Sequence, residues 1–73
     1  MNTNTHLEST GQIEASSSIQ IQFVATRHEC RVVMFDSNAD ECWANNYENP
    51  AMVFVAIGML MASATAREEF KNA

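Results

Sequence analysis

Residues 50–66 read PAMVFVAIGMLMASATA, an apolar run without a single charged side chain. Asn49 stands before it and suits a helix N-cap, because its side-chain oxygen can accept from a free backbone N–H of the first turn. Pro50 suits the first helical position, where a missing N–H costs nothing. Arg67, Glu68, Glu69, Phe70 and Lys71 follow the run. One continuous helix is predicted over 50–70, about 30 Å long at 1.5 Å per residue.

Placed at about 100° per residue, the run has no polar side. Met52, Met59 and Phe70 share one flank, continued by Ile57 and Leu60. Phe54 and Met61 lie nearly opposite. The remaining arc holds Ala51, Val55, Gly58, Ala62 and Ala66. A helix that is apolar all round has to be covered all round. A small sheet covers one side only, so a second molecule is expected on the other. Gly58, Ala62 and Ala66 recur every fourth residue, a spacing that lets two helix backbones approach closely. A homodimer through Val55, Gly58, Ala62 and Ala66 is therefore expected. The competing arrangement packs that small arc flat on the chain's own sheet.

Upstream, residues 18–26 alternate. Ile19, Ile21, Phe23 and Ala25 point one way, Gln20 and Gln22 the other, which reads as a strand with one wet face. Residues 30–36 form the second strand. Val32, Val33, Met34 and Phe35 run together, so both of its faces are expected to be covered. Ser37, Asn38 and Asp40 give turn chemistry, and residues 41–44 offer a short third strand carrying Trp43. Residues 1–17 are rich in Asn, Thr and Ser. They are expected as a flexible polar arm, with a docked extra strand through Leu7 and Ile13 as the alternative. The expected fold is α+β: a two- or three-stranded antiparallel sheet packed on one long C-terminal helix. It forms one domain over 18–73.

A chain of 73 residues buries little and is marginal on its own, which again points to a partner. Its two cysteines, Cys30 and Cys42, are too few for a disulfide-stapled secreted module. The first residues lack the basic and apolar regions of a signal peptide, so reduced thiols and a cytoplasmic location are expected. The formal charge of −5 argues against direct nucleic-acid binding and suits a protein partner with a basic surface. A membrane span is a weaker reading. The run is shorter than the ~20 residues a span needs, and its flanks carry no positive-inside bias.

Catalysis finds no set of residues. His6 falls in the arm, and His28 and Cys30 stand two apart on a strand edge without an orienting third group. A single His-x-Cys lacks the paired short spacings of a zinc site. No catalytic residue, metal or cofactor is assigned.

One region reads as a contact surface. Asp36, Asp40, Glu41 and Glu48 come without an intervening Lys or Arg, and Trp43 and Tyr47 are interleaved with them. Aromatic anchors and carboxylates are common where a basic partner is gripped. The stretch links the hairpin to the helix start, so it is expected at one end of the domain. A small, strongly acidic chain with a hairpin, one helix and no catalytic set resembles the phage-encoded inhibitors of bacterial defence, notably anti-CRISPR proteins. The resemblance lies in size, charge and element order. It implies a stoichiometric blocker in the host cytoplasm that occupies a basic nucleic-acid-binding surface or a neighbouring subunit interface. Asp36, Asp40, Glu41 and Glu48 would then stand in for phosphates, or the Trp43–Tyr47 region would block sterically. Two alternatives remain: a self-associating accessory or assembly protein, and a single-pass membrane regulator.

Overall fold

The computed structural model describes residues 9–73. Four strands form one antiparallel meander in the order β1-β2-β3-β4: Ser9–Glu14, Ile19–Ala25, Cys30–Asp36 and Glu41–Asn46. Two helices follow, α1 over Pro50–Ala62 and α2 over Ala64–Lys71. This corrects the expectation of two or three strands on one long helix.

The additional strand comes from the segment read as a polar arm. Its pairing is long enough to include Gly11 opposite Phe23 and Ile13 opposite Ile21. Gly11 makes room for the Phe23 ring. A Cβ at that position would stand 2.8 Å from Cε1 of Phe23. Thus a segment with few apolar residues of its own is held by backbone pairing and by a neighbour's ring. The rest of the expected arm, residues 1–8 with Leu7 among them, lies outside the described residues.

Side-chain hydroxyls and carboxylates set the turns. Thr26 Oγ1 accepts from the backbone N–H of Glu29 at 2.9 Å and of His28 at 3.2 Å, closing the β2–β3 turn. Asp36 Oδ1 accepts from the N–H of Asn38 at 3.0 Å at the start of the β3–β4 turn. Asp40 then takes a left-handed conformation (φ 55°), which a short polar side chain tolerates better than a branched one.

Alternation sends Ile19, Ile21, Ala25, Val32 and Met34 to one face of the sheet, where all are buried. α1 lies on β2 and β3 and adds Val53, Ile57 and Leu60 to that core. α2 lies on β4 and adds Phe70. Each fully buried aliphatic side chain contributes about 1.5–3 kcal/mol relative to leaving it exposed. The other face of the sheet is open. Val33 is only half-buried and Phe35 is exposed, so the continuous apolar run of β3 does not mark a strand covered on both sides.

The single helix expected over 50–70 breaks at Ser63, which has extended backbone (φ −144°, ψ 124°). The break is stabilised from three directions. The Ser63 N–H donates to the Met59 carbonyl at 3.0 Å and closes α1. Ser63 Oγ accepts from the Ala66 N–H at 3.1 Å and caps α2. Arg67 Nη1 donates to the Leu60 carbonyl at 2.6 Å, replacing the backbone donor that a continuous helix would have supplied. Geometry gives the reason. A helix over 50–70 would run about 30 Å, whereas a six- or seven-residue strand spans about 20–24 Å. Breaking at Ser63 lets α2 bring Phe70 onto the core instead of overhanging the sheet.

Candidate functional site

The six residues expected to form an acidic and aromatic contact surface do not come together. They are strung out along β4 and the segments on either side of it. Asp36, Asp40 and Glu41 sit where β3 turns into β4, while Glu48 follows the far end of β4 just before α1. Six strand residues separate the two ends by about 20 Å. The expectation that this stretch occupies one end of the domain is therefore corrected.

Trp43 belongs to the inner side of β4, where it packs against the core half-buried. The Lys71 ammonium lies 4.6 Å from its ring centroid, within cation–π range, and is also 3.1 Å from Glu68. Tyr47 also packs against the core, and burial pushes its phenol above the ordinary value of 10.0. Both aromatic residues are thus largely occupied within the chain. What remains of the surface is a group of carboxylates at one end of the sheet. Asp36, Asp40 and Glu41 are joined there by Glu14, whose strand pairs with β2 opposite Gln20. Glu14 was not singled out in the sequence because its segment read first as a polar arm.

Cys30 and Cys42 are free. Cys30 faces the core side of β3 and its thiol donates to the Thr26 carbonyl at 3.2 Å, whereas Cys42 is exposed beside Phe35 on β4. They lie at different ends of adjacent strands and on opposite faces, which rules out a bridge within one chain without backbone movement. Among the described residues, no group of three or more His, Cys, Asp or Glu converges on a metal-sized site. The open face of the sheet forms a shallow concavity of about 400 Å³ over Thr10, Gln12, Gln22, Val24, Arg31 and Val33. Its wall offers amides, a hydroxyl and a guanidinium. The guanidinium already faces the Glu29 carboxylate at 3.5 Å.

α1 presents a different surface. Only Val53, Ile57 and Leu60 of its thirteen residues are buried. Its outward crest holds Ala51, Val55, Gly58 and Ala62, all exposed. These positions are spaced four, three and four apart, the interval that keeps a seam on one side of a helix. Large side chains flank the crest. Phe54 and Met61 form one wall, with the Phe54 ring edge-on to Phe23 at 5.6 Å. Met52 and Met59 form the other. Phe54, Met59 and Val55 remain 47%, 53% and 62% exposed. Gly58 leaves a gap in the crest: apart from its chain neighbours and its own helix backbone, nothing lies within 4 Å of where a Cβ would stand.

Of the four residues expected at a dimer interface, Val55, Gly58 and Ala62 share this crest. Ala66 does not. It sits beyond the Ser63 break, on α2, and is buried. Its four-residue spacing from Ala62 held meaning only for an unbroken helix. The flanking Met52, Phe54, Met59 and Met61 belong to the surface and were missed as members of it. The seam spacing of 51, 55, 58 and 62 was the signal that could have identified it.

No helix among the described residues is long and apolar enough to cross a membrane. The Ser63 break shortens the apolar helix further below a span than its sequence suggested. No protein-family model, curated protein or solved structure matches the chain.

Proposed function

We propose that this chain is a non-enzymatic binding protein whose working surface is the outward face of α1. One observation carries the reading: Met52, Phe54, Val55, Met59 and Met61 all stay exposed on a helix without a charged residue. A contiguous apolar face of that kind marks a place where another molecule sits. The chain's action is then contact, with α1 held rigid by the sheet beneath it.

The test compares the full chain with Val55→Glu, a change at the most exposed point of the crest. Each is sized by light scattering and used as bait in a host lysate. Val55→Glu should remove the self-association, the captured partner, or both. A wild-type chain that is monomeric, and that matches Val55→Glu both in the proteins it captures and in its binding to phosphatidylcholine vesicles, would overturn the reading.

A second reading is inhibition of a larger protein or nucleoprotein assembly, in the manner of anti-CRISPR proteins. It is supported by the carboxylates of Glu14, Asp36, Asp40 and Glu41 at one end of the sheet and by the net charge of −5. That end would lie against a basic surface of the target and compete with phosphates there. Reversing Asp40 and Glu41 together to Lys should then weaken target binding and reduce its salt sensitivity. Binding unchanged in both respects would remove this surface from the mechanism.

A further inference from the structure

Resting on the reading of α1 as the working surface, we infer that its occupant is a second copy of the chain. The two α1 helices pack antiparallel, with Val55 of each copy seated over Gly58 of the other.

The first argument is shape. Val55 is the most exposed of the large apolar side chains, and Gly58, less than one turn further on, leaves open space. A knob and a hole on one crest, three residues apart, complement themselves when the helix is turned end for end. The centre of symmetry falls between Ala56 and Ile57. Val55 then meets Gly58, and Ala51 meets Ala62. The same arrangement sets the Met52 and Met59 wall of one copy against the same wall of the other, and the Phe54 and Met61 wall likewise, so flexible thioethers meet one another and an aromatic ring. A parallel pairing would put Val55 on Val55 and leave an empty layer at Gly58.

The second argument is charge. Pro50–Ala62 contains no ionisable or hydrogen-bonding side chain. An interface with an unrelated protein ordinarily carries about one hydrogen bond per 100–200 Å², whereas homodimer interfaces are the more apolar class. Antiparallel packing also opposes the helix dipoles, and it brings the end of α1 preceded by Glu48 to the end followed by Arg67. A lipid surface fits poorly. Helices that lie on membranes carry Lys and Arg along their polar side, and α1 has neither.

The third argument is area. The exposed parts of Met52, Phe54, Val55, Met59 and Met61 amount to roughly 500 Å² per copy. With Ala51, Gly58 and Ala62 added, complete coverage of a pair of such faces removes about 1,200 Å², the lower bound of a stable specific interface.

Sedimentation equilibrium of the full chain in a Cys42→Ser background tests this. The expected result is a reversible dimer of twice the 8.1 kDa chain mass. A Cβ added at Gly58 meets no other part of the chain within 4 Å beyond its own helix backbone and chain neighbours, so Gly58→Leu should fill the hole without a clash, weaken the dimer at least tenfold and leave the circular dichroism spectrum unchanged. Under mild oxidation, Ala51→Cys chains mixed with Ala62→Cys chains should crosslink, and Ala51→Cys chains alone should not.

A monomer at every concentration would overturn the inference. The reading of α1 as a working surface would still stand if Val55→Glu lost a captured protein, or if phosphatidylcholine vesicles bound wild type but not Val55→Glu. A dimer indifferent to both Gly58→Leu and Val55→Glu would overturn the inference, and if the captured proteins were also unchanged by Val55→Glu, the reading beneath it as well. Crosslinking of Ala51→Cys chains with each other, without crosslinking to Ala62→Cys chains, would overturn the antiparallel arrangement.

Discussion

α1 and α2 are consecutive helices with opposite habits. α2 buries Ala66 and Phe70 and turns Arg67, Glu68, Glu69 and Lys71 towards its edges and solvent. It has one apolar side, and the chain has one place to put it. α1 buries Val53, Ile57 and Leu60, yet its other sides are apolar too. The same sheet supports both. The difference shows that coverage of a helix is limited by what the fold can reach: a helix with one oily side is complete in a single chain, and a helix with several is not.

The sharpest way to break this comparison is to remove the anchor that makes α2 self-sufficient. Phe70→Ala should cost about 3–5 kcal/mol, a large fraction of the stability of so small a domain. Val55→Ala on the outward crest of α1 should change the stability of the monomer by no more than about 0.5 kcal/mol. Urea unfolding at low protein concentration checks both. Equal losses would mean that the two helices are buried alike.

Next in size is the outward face itself. Val55→Glu should weaken self-association at least tenfold, while Glu69→Gln on exposed α2 should leave it unchanged, as read by light scattering. A smaller effect is expected at the boundary. Ser63→Ala removes the hydroxyl that accepts from the Ala66 N–H and should cost about 1 kcal/mol. If stability instead rose with added helicity, the break would be a constraint that the fold tolerates, not one that it uses.

The smallest effect concerns pH. The Tyr47 phenol is held above 10.0 in the folded chain because burial disfavours its charged form. The folded state therefore keeps this proton more tightly than the unfolded state does. Stability is fully present below about pH 10 and falls as the pH rises through the folded value. Tyr47→Phe should flatten that fall in urea midpoints measured from pH 8 to 11, and an unaltered profile would mean that other groups set it.

Much of this was legible in the sequence. Alternation at Ile19, Ile21, Phe23 and Ala25 marked β2, the apolar run from Val32 marked β3, and Asn49 with Pro50 marked the start of α1. In the fold, Asn49 Oδ1 accepts from the Met52 N–H at 3.0 Å as an N-cap should. β1 was legible only as the alternative of a docked extra strand through Ile13, because Gly11 and its polar neighbours carry no apolar period; what holds them is the Phe23 ring across the pair. The break at Ser63 was illegible because serine is an acceptable helix residue. Its extended backbone follows from the length of the sheet and from the burial of Phe70, neither of which is local. The acidic stretch was misjudged for a related reason. Residues adjacent in sequence were placed at one end, but a strand between them carries Asp40 and Glu48 apart and turns Trp43 inward.

Oxidation footprinting of the methionines, read by peptide mass spectrometry across a range of protein concentrations, tests the pairing of α1 most directly. Met34 is fully buried and serves as the internal reference, while Met52, Met59 and Met61 lie on the outward walls. Self-association through this face requires Met52, Met59 and Met61 to become protected together as concentration rises, with Met34 slow throughout. Oxidation of Met52, Met59 and Met61 at the same rate from the most dilute to the most concentrated sample would contradict it.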